Sequence, residues 1–336
     1  MGSPLSRVKT VLSRQTGPNA GVSLARVGPG TTLDPRSPQA RAIADLFGET
    51  LIVCGVIFAL VTVLIGFALL KFRDRGGKPP VQTEGNTRME IAWTTAPLVV
   101  LVGIFALTMR AMSASDPPPD REPNLVVVAH QWWWEVKYRS GAVTANEIHI
   151  PAGKALVVGI ESADVIHDFW VPELGRKIDA IPGRSSTIWL SADAPGTYLG
   201  SCGEYCGAQH AWMRIIVVAQ SAEDFAAWET RTIAHAQEPT GEDAARGAKA
   251  FRSMTCVKCH AIAGNGDEVV RASAGPDLTH LADRTSLGAG VSKNAPAELT
   301  LWLKHPQQVK QGSHMPDVQL TDAQVADFVA YFGTLK

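Results

Sequence analysis

Two long apolar runs near the N-terminal end constrain this chain more than any other feature. Thr50–Leu70 contains twenty-one residues and Ile91–Met109 contains nineteen, and neither run includes a charged side chain. As a helix, each run is long enough to cross the roughly 30 Å hydrocarbon core of a bilayer. Charged residues stand directly at the ends of both runs, where interfacial anchors belong. The sequence therefore predicts a transmembrane helical hairpin over residues 43–114, with helices at about 46–71 and 90–112.

The charges around the hairpin predict its orientation. Residues 71–90, which connect the two runs, carry five Lys/Arg and three acidic residues. The positive-inside rule places such a connection in the cytoplasm and both ends of the chain outside. Residues 1–42 contain no continuous apolar stretch of the kind that a cleavable signal peptide needs. We assign them to an N-terminal segment, and the sequence leaves open whether this segment is ordered or disordered.

The overall composition excludes some classes of function and points to cofactor sites. The net charge is −1, from 31 basic and 32 acidic residues, so the chain is not a globally basic nucleic-acid-binding protein. Five cysteines are too few for a disulfide scaffold. Two of them form the close pair Cys202 and Cys206, and two more form the pair Cys256 and Cys259. These pairs indicate two cofactor sites, whereas Cys54, inside the first apolar run, is expected to be a small hydrophobic side chain.

The part of the chain after the hairpin changes character twice. Residues 115–220 contain short β-type runs separated by Gly and Pro, the pattern of a small antiparallel sandwich or barrel. Residues 221–240 predict a short helix and a flexible polar linker of about ten residues. Residues 241–336 become helical and end in a capped amphipathic helix. We therefore expect a multidomain membrane protein with a helical hairpin, an all-β domain and an all-α domain.

A cluster of soft and borderline ligands marks the first candidate site. Cys202, Cys206, His210 and Met213 follow a C-x3-C-x3-H-x2-M spacing, so one loop can hold two thiols, an imidazole and a thioether. These donors suit copper. His167 lies between two strand-like segments of the same domain and is the natural second imidazole. A tetrahedral zinc site with two Cys and two His is the alternative, although zinc has little use for the thioether of Met213.

The second pair of cysteines belongs to a haem attachment motif. Cys256-Val-Lys-Cys259-His260 has the C-x-x-C-H spacing in which two thioethers fix the porphyrin and the histidine binds the iron. A redox-active C-x-x-C without haem is the alternative. The helical pattern on both sides of the motif favours the haem.

The order of features along residues 43–220 resembles that of subunit II of the haem-copper cytochrome c oxidases. Two membrane helices, Val165-Ile-His167, Asp179-Ala-Ile-Pro-Gly-Arg184 and the C-x3-C-x3-H-x2-M loop occur in that order in this family. The resemblance implies a cupredoxin fold with a binuclear, mixed-valence copper centre, CuA. The copper ligands that it implies are the bridging thiolates of Cys202 and Cys206, the terminal imidazoles of His167 and His210, the weak axial thioether of Met213 and the backbone carbonyl of Glu204.

The same resemblance implies three further roles, each for one residue. His130-Gln-Trp132-Trp133-Trp134 is similar to an aromatic segment of the family whose first tryptophan receives electrons near CuA, and that role falls on Trp132. The side chain of Glu204 would offer a ligand to a magnesium ion at the interface with subunit I. Glu90 stands just before a Trp-Thr pair, as a glutamate does in the family, and would help protons enter subunit I. A simple interfacial charge, favoured by the helix dipole, is the alternative for Glu90.

Residues 241–336 resemble a class I cytochrome c. Gly275-Pro276 follows the C-x-x-C-H motif at the distance of the family's proximal loop, and Gly312-Ser-His314-Met315-Pro316 precedes the last helix. The resemblance implies one haem c attached through both cysteines of the motif, with Met315 as the distal ligand of the iron and Pro276 orienting His260. His314 is the rival distal ligand, although we expect it at the protein surface.

A subunit II with a cytochrome c at its end resembles the caa-type oxidases of bacteria. This implies the electron-intake subunit of a cytochrome c oxidase, in which haem c passes electrons to CuA and on to subunit I, where oxygen is reduced to water and protons are pumped. The expected partners are oxidase subunit I, the other oxidase subunits, an external electron donor and the lipid of a bacterial cell membrane, with the C-terminal domains on its periplasmic or extracellular side. Two alternatives are the electron-intake subunit of a CuA-type nitric oxide reductase and a membrane-anchored copper and haem electron shuttle.

Overall fold

Two long helices form the N-terminal hairpin of the chain. Helices α1 (Pro38–Lys71) and α2 (Thr87–Ser115) are both long and apolar enough to cross a membrane, and their apolar windows are not buried inside the folded protein. A helix that is apolar on all sides and lies outside the protein core is suited to lipid. The hairpin predicted from the two apolar runs is therefore confirmed. The computed structural model describes residues 30–73, 76, 84–118, 121–263 and 274–336.

Both helices extend beyond the apolar runs. Helix α1 begins at Pro38 rather than near residue 46, because the Ser37 hydroxyl caps it by accepting a hydrogen bond from Ala40 N at 3.0 Å. Proline also suits the first helical position. Helix α2 begins after its cap Asn86 and continues to Ser115. The predicted limits were too narrow because apolar patterning marks the membrane-crossing part of a helix and not its polar ends.

The residues just before and at the start of α1 are folded, although the sequence left disorder open for the whole N-terminal segment. Ser37 Oγ donates a hydrogen bond to Leu174 O at 2.7 Å. The buried side chain of Gln39 accepts a hydrogen bond from Ser191 Oγ at 2.7 Å. The start of α1 is thus fixed to the β domain, which links the orientation of this domain to that of the hairpin. Residues 1–29 lie outside the described part of the chain.

A β domain made of two five-stranded sheets follows the hairpin. Its strands are β1 (Leu125–His130), β2 (Trp133–Tyr138), β3 (Val143–Ala145), β4 (Glu147–Pro151), β5 (Leu156–Ser162), β6 (His167–Trp170), β7 (Ile178–Ala180), β8 (Ser186–Leu190), β9 (Gly196–Cys202) and β10 (Arg214–Gln220). The strand orders are β3-β2-β1-β5-β8 and β4-β10-β9-β6-β7. Neighbours run antiparallel as predicted, except that β1 pairs with β5 and β4 pairs with β10 in parallel. Parallel neighbours need crossover connections, and these crossovers distribute the chain between the two sheets.

The core between the sheets is built from alternating strand residues. In β1 every second residue from Leu125 to Ala129 is buried, the period expected of a strand with one face in the core. Trp134 in β2 is fully buried and packs edge-on against Phe169, with 5.8 Å between the ring centroids. As strand residues, Trp132 and Trp134 would share one face, but Trp132 lies in the turn that precedes β2. The alternation of strand residues that places Trp134 in the core therefore does not determine the position of the Trp132 ring.

Helix α3 (Ala222–Ile233) leads from the β domain towards the C-terminal domain. Trp228 on this helix is buried and stacks on His149 of β4, with 4.2 Å between the ring centroids. The linker that follows is bound to the domain that it carries, because Ala236 N donates to Ala263 O at 2.8 Å. The predicted linker therefore contacts the C-terminal domain at Ala236.

Helices dominate the C-terminal domain, as predicted. Its elements are α4 (Glu242–Ser253), β11 (Ser286–Leu287), β12 (Ser292–Lys293), α5 (Pro296–Lys304), α6 (Pro306–Val309) and α7 (Asp322–Phe332). Helices α4 and α7 cross at Gly247, where a Cβ atom would lie 2.2 Å from Asp327 O of α7. Only glycine allows so close an approach. Phe251, Phe328 and Phe332 fill the core beside this crossing.

The histidine under α3 gives the β domain a sensitivity to acid. Burial lowers the pKa of His149 to about 4, from an ordinary value of 6.5. Between these pH values the unfolded chain binds a proton at His149 and the folded chain does not. The stability is therefore complete above about pH 6.5 and is lost as the pH falls towards 4. The full shift in pKa corresponds to about 3 kcal/mol of free energy of unfolding.

We predict that His149→Phe, which keeps a ring against Trp228 and removes the titrating nitrogen, reduces this acid-induced loss. The measurement is the melting temperature of the purified chain, followed by tryptophan fluorescence, at several pH values between about 7 and 4. His235→Phe is the matched control, because His235 is exposed in the linker. Equal dependence on pH in the wild type and in His149→Phe would contradict the prediction.

Candidate copper and haem sites

Two thiols lie side by side at the end of β9. Cys202 is the last residue of this strand and Cys206 lies in the loop that follows, with 3.7 Å between their Sγ atoms. This separation is far beyond the ~2.05 Å of a disulfide bond, and both thiols are free and buried. Cys202 N donates to Met213 O at 3.0 Å, which closes the loop before β10 begins. Both sulfur atoms are therefore held within the β domain and available to a metal.

Each thiol has an imidazole of its own. His167 opens β6, which pairs with β9, and its Nδ1 lies 3.9 Å from Cys202 Sγ. His210 begins a short helical turn in the loop, and its Nδ1 lies 3.7 Å from Cys206 Sγ. The sulfur of the fully buried Met213 lies 4.0 Å from Cys206 Sγ. The structure thus brings together all five side chains that the sequence singled out.

The arrangement of donors fits two metal ions better than one. Among the described residues, the ligand atoms of His167, Cys202 and Cys206 lie within 4.8 Å of one another, and this set does not include His210. A single tetrahedral zinc would need all four ligand atoms close around one point. The two imidazoles instead approach different sulfurs, which leaves both sulfurs between them. Two ions sharing a pair of thiolates fit this arrangement, and copper accepts the additional thioether.

The two thiols influence each other's protonation. The Cys206 thiol, within hydrogen-bond distance, lowers the pKa of the Cys202 thiol, and His167 acts in the same direction although burial opposes both. The contact with Cys202 in turn raises the pKa of Cys206. The pair therefore gives up its first proton readily and its second reluctantly. A metal ion supplies the attraction that removes the second proton, because only thiolates are strong ligands.

Asp164 fixes the orientation of one imidazole. Its Oδ1 lies 2.8 Å from His167 Nε2, so the ring turns Nδ1 towards the thiols. Burial alone would raise the pKa of Asp164. Hydrogen bonds, the strongest of which involves His167, instead hold this pKa below its usual value. No motif in the sequence marks Asp164 as part of the site. Its position three residues before a candidate ligand was the only available signal.

Glu204 presents its backbone and its side chain to different surroundings. Its carbonyl oxygen lies 3.2 Å from Cys202 Sγ, within the ligand cluster. Its carboxylate lies at the surface, where Oε1 accepts a hydrogen bond from Tyr205 N at 3.3 Å. The residue can therefore contribute its carbonyl inward and its carboxylate outward.

A cavity of about 380 Å³ lies in the C-terminal domain and reaches the β domain. Its walls include Cys256, Cys259, His260 and Met315, the four residues singled out in the sequence. Most of the remaining wall is apolar, with Phe328 and other core side chains of this domain. Two thiols, an imidazole and a thioether around an apolar cavity suit a haem with two thioether attachments and two axial ligands.

The histidine of the haem motif is held by Gly275 and Pro276, which pack beside it. His260 Nδ1 lies 2.8 Å from Pro276 O, and this contact decides which ring nitrogen is left for a metal. Burial lowers the pKa of His260, so its imidazole is neutral and able to bind iron. Gly275 is needed beside it, because a Cβ atom there would lie 2.7 Å from Cε1 of His260. Residues 264–273, between these two segments, lie outside the described part of the chain.

Trp132 belongs to both sites. Its indole Nε1 donates a hydrogen bond to Cys206 O at 3.0 Å. Its ring centroid lies 4.8 Å from that of His314, the exposed residue next to Met315. Trp132 also lines the haem cavity, although it comes from the β domain. One side chain thus touches the loop of copper-type ligands and the wall of the haem cavity.

Glu90 lies apart from both sites. It belongs to the first turn of α2, after the cap Asn86, at the end of the helix that is remote from the β domain. It therefore has no part in holding either cofactor.

Comparisons with known proteins identify the family to which each part of the chain is similar. Family models match the chain at residues 31–110 (cytochrome C oxidase subunit II, transmembrane domain), 139–220 (its periplasmic domain) and 244–336 (cytochrome c). Cytochrome c oxidase subunit 2 of Alkalihalophilus pseudofirmus is 35% identical over 316 residues, covering 91% of this chain and 91% of that protein. The protein of the same name from Bacillus subtilis is 28% identical over 327 residues, covering 91% and 92%. A solved structure, the periplasmic domain of subunit II of cytochrome oxidase of Bradyrhizobium japonicum, is 31% identical, with coverage of 34% of this chain and 95% of that one and a TM-score of 0.33.

The fold and its two sites define a membrane-anchored electron carrier with a copper-type β domain and a haem-type helical domain on the periplasmic side. The chain belongs to the cytochrome c oxidase subunit II family, in a form that carries a cytochrome c domain at its C-terminal end. It is the electron-intake subunit of an oxidase whose oxygen-reducing site lies in another subunit. Its periplasmic domain type implies copper, and its cytochrome c domain implies haem. A nitric oxide reductase subunit and an independent electron shuttle are not favoured by these relatives.

Removing one thiol tests the copper site. We predict that Cys206→Ser loses most of the copper and the mixed-valence spectroscopic signal, because serine offers no soft ligand between the two imidazoles. The haem absorbance should be unchanged. Cys54→Ser is the matched control, because that cysteine is exposed on α1.

Metal analysis and electron paramagnetic resonance of the purified full chain provide the two measurements. A wild-type chain that holds one zinc ion, instead of about two copper ions, would contradict the prediction.

Proposed function

We propose that the two cofactors form one electron path within this chain, from the haem domain to the copper loop. When bound, CuA accepts and releases one electron that is shared between two copper ions. The residues that we propose would hold it are Cys202 and Cys206 through their thiolates, His167 and His210 through their imidazoles, Met213 through its thioether and Glu204 through its carbonyl. The approach of each imidazole to a different thiol supports this assignment. Asp164 keeps His167 in the orientation that the site requires.

We propose that four residues of the cavity wall would hold the haem. We propose Cys256 and Cys259 as the covalent attachments, with His260 and Met315 as the proximal and distal ligands. The carbonyl of Pro276 orients the proximal imidazole. We do not assign His314, the alternative distal ligand, to the iron, because its ring packs against Trp132.

The position of Trp132 is the observation that supports a direct path for electrons between the two centres. Its indole N–H binds the carbonyl of Cys206, a proposed copper ligand, and its ring contacts the neighbour of the proposed distal haem ligand. An aromatic ring and a hydrogen bond therefore lie between the cavity that would hold the haem and the loop that would hold the copper. We propose that Trp132 is the point at which electrons reach the copper domain.

The domains divide the work of the subunit. We propose that residues 43–114 anchor it, residues 115–220 hold CuA, and residues 241–336 hold haem c, with residues 221–240 connecting the last two. Electrons then pass to subunit I, where oxygen is reduced to water and protons are pumped. The outward carboxylate of Glu204 would supply a ligand to a magnesium ion at that interface. The remaining partners are the other oxidase subunits and an external electron donor.

The order of reduction tests the direction of this path. In the intact oxidase, the physiological donor should reduce haem c before CuA, because the haem domain is the outer end of the path. Stopped-flow absorbance follows the two centres separately after mixing with the donor. Reduction of CuA first, with haem c lagging, would show that the donor bypasses the haem domain.

A variant without covalent haem supplies the control for this measurement. In the double variant Cys256→Ala and Cys259→Ala, the physiological donor should no longer reduce CuA. A small artificial reductant should still reduce it, because the copper domain is unchanged. Metal analysis confirms that the variant carries as much copper as the wild type before the two are compared.

We also propose that Glu90 assists proton uptake by subunit I. A carboxylate in the first turn of α2 lies at the membrane edge, where a charge is tolerated and the helix dipole favours it. Glu90→Ala should lower the turnover of the assembled oxidase, and most strongly at high pH, where protons are scarce. Glu84→Ala is the matched control, because this exposed carboxylate lies just before the helix.

Oxygen consumption of the assembled complexes across a range of pH measures the effect. Unchanged turnover of Glu90→Ala at every pH would leave this residue as an interfacial charge alone.

A further inference from the structure

Lys310 of the haem domain is buried against the copper domain, with 5% of its surface exposed. Its ammonium group donates to Gly288 O at 2.8 Å in its own domain. It also donates to Trp132 O at 2.9 Å and to Trp212 O at 3.1 Å in the copper domain. All three N–H groups of the ammonium are thus used, and two of them join the haem domain to the copper domain.

A lysine is a costly side chain to bury in such a place. Its charge must leave water, and carbonyl groups recover only part of the lost hydration. Burial accordingly lowers the pKa of Lys310 to about 7. An apolar side chain of the same length would fill this space without that cost. The presence of a lysine here therefore points to a requirement for its hydrogen bonds.

One of the two acceptors in the copper domain, Trp132, also lines the haem cavity. Trp132 is the residue shared by the two sites, and Lys310 binds its backbone rather than its ring. Trp212 lies between His210 and Met213 in the ligand loop. Lys310 thus binds the backbone of the turn before β2 and the backbone of the ligand loop.

On the haem side, Lys310 stands at the beginning of the segment that ends at Met315. Gln307 makes this segment rigid, because its Nε2 donates to Ser313 O and to Met315 O, both at 2.9 Å. The ring of His314, in the same segment, contacts Trp132. Lys310 and Gln209, whose Nε2 donates to Gln311 O, therefore anchor this segment to the copper domain.

We propose that Lys310 is a positioning residue for electron transfer, which holds the segment of His314 and Met315 against Trp132. The proposal rests on the proposed function, because it requires haem and CuA at the two ends of this contact. Electron tunnelling falls steeply as the gap between redox groups widens. A small displacement of the segment therefore changes the rate of transfer without changing either centre.

A second buried contact keeps the two domains together when Lys310 is altered. Glu147 of the copper domain, 1% exposed, accepts hydrogen bonds from Thr285 N at 2.8 Å and Thr285 Oγ1 at 2.9 Å. It also accepts a hydrogen bond from Ser286 N at 2.9 Å. Substitution of Lys310 should therefore shift one segment locally and leave the haem domain docked.

The test compares Lys310→Met and Lys310→Gln with the wild type in the assembled oxidase. Methionine keeps most of the side-chain length and removes every donor, whereas glutamine keeps two donors. Lys293→Met is the matched control, because Lys293 is exposed on the same domain. Rapid photoreduction of the haem then measures the rate at which the electron reaches CuA.

Lys310→Met should slow this transfer between about ten- and a hundredfold, Lys310→Gln should slow it less, and Lys293→Met should leave it unchanged. The midpoint potentials and spectra of both centres should equal those of the wild type. A small artificial reductant should reduce CuA at the wild-type rate. Hydrogen exchange of the backbone amides in residues 311–316 should be faster in Lys310→Met, a readout that does not depend on electron transfer.

Three outcomes would overturn the proposal. The first is wild-type transfer in Lys310→Met, and the second is slower transfer that a changed midpoint potential explains. The third is loss of haem or copper in both Lys310 variants, since the residue would then be structural. If the wild type itself passes no electron from haem to copper, the proposed function fails, while hydrogen exchange still reports whether Lys310 fixes the segment.

Discussion

The pairing of β9 with its two neighbours is the constraint on which the copper-type site depends. On one side, β9 pairs with β10, and the hydrogen bond from Cys202 N to Met213 O closes the loop between them. On the other side, β9 pairs with β6 and brings His167 to the same place. Ligands from one loop and from a distant strand therefore meet because of backbone hydrogen bonds alone. A frame of this kind stays in place when an electron arrives, which favours rapid transfer.

The carbonyl of Cys206 connects this frame to the rest of the protein. It accepts hydrogen bonds from Gln131 Nε2 at 2.8 Å and from Trp132 Nε1 at 3.0 Å. The turn before β2 is thus fixed to the ligand loop by two side chains. Lys310 binds the same turn through the Trp132 carbonyl, from the side of the haem domain. One short stretch of backbone therefore contacts both the ligand loop and the haem domain.

The parts of this structure that were predictable from the sequence are those encoded over short distances. The four candidate ligands from Cys202 to Met213 and the haem motif each occupy a few consecutive residues, so their spacing alone indicated the chemistry. The membrane hairpin was predictable because length and the lack of charge suffice to define a spanning helix. The identification of His167 from the sequence also required the expectation that a second imidazole comes from the same domain.

The contacts between domains were not predictable in the same way. Lys310 reaches Trp132, and Glu147 reaches Thr285, across more than a hundred residues of intervening sequence. In the sequence, Lys310 and Glu147 look like ordinary surface charges, because no local pattern records that tertiary structure will bury them. The early start of α1 was not predictable for the same reason, since contacts with the β domain stabilise its polar first turns.

The nature of these contacts explains how the two domains associate without attraction between their net charges. Residues 115–232 carry nine basic and fifteen acidic residues, whereas residues 241–336 carry ten of each, so long-range electrostatics supply little steering. The interface instead includes a buried carboxylate, Glu147, which accepts hydrogen bonds from neutral groups, and a buried ammonium, Lys310, which donates to carbonyl oxygens. Buried contacts of this kind are screened by salt far less than surface ion pairs. Since the haem domain also covers Trp132, we expect an external donor to meet the nearly neutral haem domain and not the acidic copper domain.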